Sequence, residues 1–139
     1  VAVRAAKART KMVVIASFTF DPQPDGRYAT MMGVRPEAFA EGMLEAGADI
    51  LGANCGTGPD HMIKIIEAIC AAAPEAWIMA MPNAGMPVME DGKTVFRETP
   101  DEMARKAPRL VDAGARIIGG CCGTTPAHIA AMRRAIRGM

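Results

Sequence analysis

The chain has 139 residues, half of them hydrophobic, and a formal net charge of +1 with acids and bases interspersed. This length allows one domain with one core, and the balanced charge argues against a nucleic-acid or polyanion surface. No apolar run approaches the roughly 18 residues of a membrane span, and four cysteines without a secretory leader point to a reducing, cytoplasmic setting.

Val1–Arg9 reads as the end of a helix that precedes the first strand. Met12–Phe18 is β-branched and bounded by polar segments, the pattern of a buried strand. Residues 21–35 carry Asp21-Pro22, Pro24-Asp25-Gly26 and Gly33 and read as a long loop. Pro36 opens a helix that Gly47 stops. Ala48–Ala53 is the second strand, and Gly58-Pro59 starts a helix to about Ala72. Trp77–Met81 is the third strand, followed by a long loop holding Pro82-Asn83-Ala84-Gly85 and Asp91-Gly92. Thr99-Pro100-Asp101-Glu102 has the form of a capping box, and its helix runs to Ala113-Gly114. Ala115–Gly119 is the fourth strand, and Thr125-Pro126 opens the last helix.

Strands alternating with helices imply an α/β fold with a parallel sheet covered by helices. Four such βα units are half of an eightfold TIM-type barrel, which runs to about 250 residues. A four-stranded open sheet is the alternative. The whole chain, 1–139, reads as one partial barrel domain. Its first residue is Val rather than Met, so the expectation is a piece of a longer protein; pairing with another subunit or closure as a symmetric dimer would also complete the barrel.

An internal repeat carries the chemistry. Glu45–Met62 aligns on Asp112–Ile129 without a gap, with 10 of 18 positions identical. Cys55 falls on Cys122, Pro59 on Pro126 and His61 on His128, and Cys121 precedes Cys122. Loops after the strands form the functional face of such folds, so Cys55, Cys121 and Cys122 should meet there as a thiolate site for Zn²⁺. Three protein ligands leave a fourth position for a substrate thiol, which metal binding would deprotonate. Neighbouring strand residues point to opposite faces, so Cys121 and Cys122 can share an ion only where the strand breaks, at Gly119, Gly120 and Gly123. Cys70 reads as a core residue. His61 and His128 read as packing residues at helix N-termini, not ligands. Asn54 and Asn83 end strands on the same face and could grip a substrate or tolerate a kinked backbone. Ser17 and Thr19, at the end of the first strand, read as loop caps, and Asp21, Asp25, Asp91 and Glu98 as turn formers and solvated charge.

Gly52-Ala53-Asn54-Cys55, the Pro82–Gly85 loop, Asp91-Gly92-Lys93-Thr94-Val95 and Gly119–Ile129 together resemble the homocysteine S-methyltransferase family, and within it the homocysteine-binding module of the cobalamin-dependent branch. The resemblance covers nearly the whole chain. It implies zinc-dependent methyl transfer to L-homocysteine, giving methionine. Cys55, Cys121 and Cys122 would be the zinc ligands and Asn54 a substrate contact. Methylcobalamin would be the donor, on another domain or chain. The likeness is to the second half of the family's barrel, so the N-terminal half-barrel, or a second subunit, would be a partner. A non-catalytic zinc-binding half-barrel is the competing reading.

Overall fold

The structure, a computed structural model, describes residues 1–138. Its elements in chain order are α1 (Ala2–Arg9), β1 (Ile15–Phe18), β2 (Asp21–Pro22), β3 (Tyr28–Ala29), α2 (Pro36–Glu45), β4 (Ile50–Asn54), α3 (Pro59–Ala72), β5 (Trp77–Met81), β6 (Pro87–Glu90), β7 (Lys93–Phe96), α4 (Pro100–Asp112), β8 (Ile117–Ile118) and α5 (Pro126–Arg137). The main sheet is parallel, in the order β1-β4-β5-β8. Each main-sheet strand therefore lies beside the main-sheet strand that follows it in sequence. Only the small pairs β2–β3 and β6–β7 are antiparallel.

This singly wound order, with sequential helices α2, α3, α4 and α5 packing side by side, is that of half a βα barrel. Paired residues in register share a face. Ala16, Leu51 and Ile78 are buried together with Phe39, Ile66 and Ile69 in the helix-packed core. Ile15 and Trp77, one position earlier, are exposed; with Ile50 they belong to the opposite face, which in a closed barrel is the interior. At the β8 edge an open groove of about 500 Å³ is lined by Ile118, Ile129, Met132 and Ile136 and rimmed by Arg116 and Arg133.

Four helices begin with Pro at N1: Pro36, Pro59, Pro100 and Pro126, where the missing amide costs nothing. The capping box at α4 is present as the sequence predicts: Glu102 N–H donates to Thr99 Oγ1 at 3.3 Å, and Thr99 N–H donates to the Glu102 carboxylate at 2.7 Å. Among the described residues, no helix is long and apolar enough to cross a membrane.

Two loops differ from expectation. Each folds back as a hairpin between a main-sheet strand and its helix. Asp91 and Gly92 both have positive φ (48° and 74°), the requirement of a two-residue type I′ turn. β1 and β8 are also shorter than their apolar runs suggest. β1 starts at Ile15, opposite Ile50, and β8 ends at Ile118, before Gly119 and Gly120. Replacing Thr99 with Ala removes one cap bond and should lower stability by about 1 kcal/mol, read as a lower urea midpoint at unchanged m-value.

Candidate metal centre

Cys55 directly follows β4, whereas Cys121 and Cys122 follow β8 after two glycines. β4 and β8 are both neighbours of β5, so the cysteine loops flank the end of β5. Hydrogen bonds extend the sheet into both loops. Cys55 N–H donates to Met81 O at 3.0 Å, Cys121 N–H to Pro82 O at 2.8 Å, and Ala84 N–H to Cys122 O at 2.9 Å.

The backbone then reverses. Cys55 has φ 60° and Gly56 φ 69°, left-handed values that cost a non-glycine residue roughly 1–2 kcal/mol. Strain of this kind concentrates where a side chain must be aimed. On the other side Gly123 has φ 78°. Cys121 and Cys122 lie outside any strand, so strand alternation does not separate their side chains. The break expected at Gly119, Gly120 and Gly123 is where the structure has it.

The outcome is a triangle of sulfurs. Cys55 Sγ lies 3.5 Å from Cys122 Sγ, and Cys121 Sγ lies 3.9 Å from Cys122 Sγ. All three sulfurs are within 4.8 Å of one another. Four ligands around Zn²⁺ at about 2.3 Å would set sulfurs about 3.8 Å apart, whereas a disulfide needs about 2.05 Å. All three are free thiols, and their spacing suits one tetrahedral ion with a vacant corner.

Asn83 is 3% exposed, and its Oδ1 accepts Cys122 N–H at 3.1 Å. Its backbone N–H donates to Thr57 O at 2.9 Å, in the loop that follows Cys55, so this one residue braces both cysteine loops. Asn54 is half-buried; its Oδ1 accepts the Ser17 hydroxyl at 2.6 Å, which gives Ser17 a role beyond capping a loop. Cys70 packs against the core, away from this cluster. Glu98 is not a solvated loop acid: it is largely buried and pairs with Lys106 Nζ at 2.8 Å. That link had no signal short of the fold itself.

The thiols are electrostatically unequal. Burial pushes the Cys55 thiol up, but hydrogen bonds from the Gly56 amide, Cys122, Cys121 and Asn83 outweigh it and leave its pKa below the usual thiol value. Burial first, then the contacts with Cys55 and Cys122, push Cys121 up to about 11. In the metal-free protein the thiolate is the reactive form. Iodoacetamide should therefore label Cys55 before Cys121 as pH rises, as peptide mass spectrometry of partly labelled samples would reveal.

The family described as homocysteine S-methyltransferase matches residues 1–136. Methionine synthase of Mycobacterium tuberculosis is 38% identical over 91 residues, 65% of this chain and 8% of that protein. Methionine synthase of Mycobacterium leprae is 37% identical over 91 residues, with the same shares. The chain thus matches a small part of these relatives. Among solved structures, an apo protein of Toxoplasma gondii ME49 assigned as a deoxyribose-phosphate aldolase superposes with TM-score 0.63 at 16% identity, over 98% of this chain and 52% of that one. That likeness concerns the fold, and its coverage matches half a barrel.

Proposed function

The chain belongs to the homocysteine S-methyltransferase family, and from that premise we propose that it is the zinc-bearing half of a module that activates L-homocysteine for methyl transfer to give methionine. The observation that carries this reading is the sulfur triangle, with separations of 3.5 and 3.9 Å. Cys55, Cys121 and Cys122 would hold the ion. When bound, Zn²⁺ supplies the positive charge that lets a fourth, substrate thiol lose its proton near neutral pH.

The protein's own groups orient and hold. Met81 O, Pro82 O and the Asn83 side chain fix the three cysteines before any ligand arrives, so the site needs little rearrangement to accept a metal. We assign Asn54 to the substrate: with Oδ1 engaged by Ser17, its amide N–H groups suit a carboxylate. Asn83, beside both cysteine loops, is the second proposed contact. A methyl donor must approach the sulfur in line, so rate comes from positioning. We read that donor as methylcobalamin carried on another domain or chain, following the resemblance of the Pro82–Gly85 loop and the Gly123–Pro126 turn to the cobalamin-dependent branch.

Completion of the pocket is assigned to further βα units from another segment or subunit. The uncovered face with Ile15 and Trp77 and the apolar groove at the β8 edge are surfaces such units would cover. Keeping three thiols reduced for a metal fits a reducing compartment such as the cytoplasm.

X-ray absorption at the zinc edge tests the proposal. The expected result is one zinc per chain with three sulfurs and a light atom, becoming four sulfurs when L-homocysteine is added. Replacing Cys122 with Ala should abolish stoichiometric zinc. Zinc retained by that variant would sink the assignment, and zinc whose sulfur count ignores homocysteine would mark a non-catalytic zinc-binding half-barrel.

A further inference from the structure

The chain has two histidines, and they occupy equivalent positions of the internal repeat. Neither belongs to the sulfur cluster, yet each is bonded to the segment that covers a Cys–Gly turn. The repeat extends further than the aligned sequence. Both β1 and β5 are followed by a hairpin, and each hairpin lies on the cysteine turn of the next unit. A Cβ on Gly56 would come within 2.8 Å of Thr19 Cγ2 and 3.1 Å of Asp21 Oδ1, at the root of the β2–β3 hairpin. A Cβ on Gly123 would collide with Phe96 Cβ at the end of β7. Gly56 and Gly123 are repeat-equivalent, and at both the absent side chain admits the covering hairpin.

Each histidine ties down its own cover. His61 Nδ1 is 2.9 Å from the Tyr28 hydroxyl, on β3. His128 is 6% exposed, and its Nε2–H donates to Glu98 O at 2.9 Å, just past β7. Its Nδ1 accepts Thr125 N–H at 3.1 Å and lies 2.9 Å from Thr125 Oγ1. One neutral tautomer satisfies all three partners. From Glu98 the path to the site is short: Glu98 N–H donates to Ala84 O at 3.0 Å, and Ala84 N–H donates to Cys122 O at 2.9 Å.

We propose that His61 and His128 are repeat-equivalent positioning residues, each latching a hairpin over a Cys–Gly turn and so holding the sulfurs at metal-binding spacing; this rests on the reading of the three thiols as a metal site. Capping alone would explain the Thr125 contacts of His128. It would not explain the bond to Glu98 O, nor why His61 reaches a hairpin instead of its own helix end. Ligands to a metal are commonly set by an outer layer of hydrogen bonds, whose loss weakens metal binding by about tenfold or more.

The test compares His128→Asn, which keeps an acceptor for Thr125 but loses the reach to Glu98 O, with His128→Gln, whose amide N–H can regain it. Tyr28→Phe removes only the hydroxyl that meets His61. Hydrogen exchange would be followed in the metal-free chain, and zinc affinity by competition with a chromophoric chelator. The latch predicts faster exchange across residues 86–98 in His128→Asn and across 21–29 in Tyr28→Phe, with zinc bound about tenfold more weakly in both and recovery in His128→Gln. Unchanged hairpin exchange with zinc affinity within about twofold of the parent would overturn it, even if α5 frays. Should His128→Asn fail to fold, Tyr28→Phe decides by the same two readouts. Failure of the unmodified chain to take up zinc would refute the metal reading instead, and hairpin exchange alone would then judge the latch.

Discussion

Everything at the sulfur cluster depends on the Pro82–Gly85 loop being both narrow and rigid. β4 and β8 are each one strand away from β5, so their axes stand almost 10 Å apart at the usual spacing of about 4.8 Å. The sulfurs nevertheless converge to 3.5 Å, which requires the two cysteine loops to lean together over the end of β5. A bulky loop there would hold them apart. Ala84 is fully buried and Gly85 has φ 87°, so the chain passes beneath the cluster with little volume. The last residue of β5 and this loop together supply acceptors at Met81 O, Pro82 O and Asn83 Oδ1 and a donor at Ala84 N–H. It is spacer and scaffold at once.

Much of the fold was legible because its signals are local. Pro at N1 opened four helices, Thr99 and Glu102 announced a cap, and the limits of α3 and β5 follow their apolar runs. The convergence of the cysteines was legible for a different reason: the repeat places Cys55 and Cys122 at equivalent strand ends, and topology does the rest. What stayed hidden depends on partners far away in sequence. Asn83 meets Cys122 39 residues on, and Glu98 meets His128 30 residues on. The hairpins were the clearest miss. Asp91-Gly92 is a strong turn signal, but the flanking stretches are short and half exposed, and nothing in them says that Phe96 lands on Gly123.

The repeat also shows how an asymmetric site can arise from a symmetric frame. Equivalent turns deliver Cys55 and Cys122, while Cys121 stands where the first unit has Asn54. One substitution at that position separates a thiol of the sulfur cluster from a polar side chain bonded to Ser17. Two copies of one motif therefore provide three sulfurs and one amide.

The open edges of the sheet have a consequence for the chain in solution. Among the described residues β1 and β8 are the outer strands of one sheet, with Met12, Val13 and Ile15 exposed at or before β1, and such edges are templates for pairing. A β1 edge meeting the β8 edge of another molecule keeps every strand parallel and makes a head-to-tail contact. Contacts of that kind close into a ring only when the rotation between copies divides the circle, and otherwise propagate as a filament. Four strands are half of an eight-stranded barrel, so a half-turn closes the assembly at two copies. A curvature whose rotation does not divide the circle leaves a growing end, and the isolated chain's solubility is then set by the geometry of its edge strands.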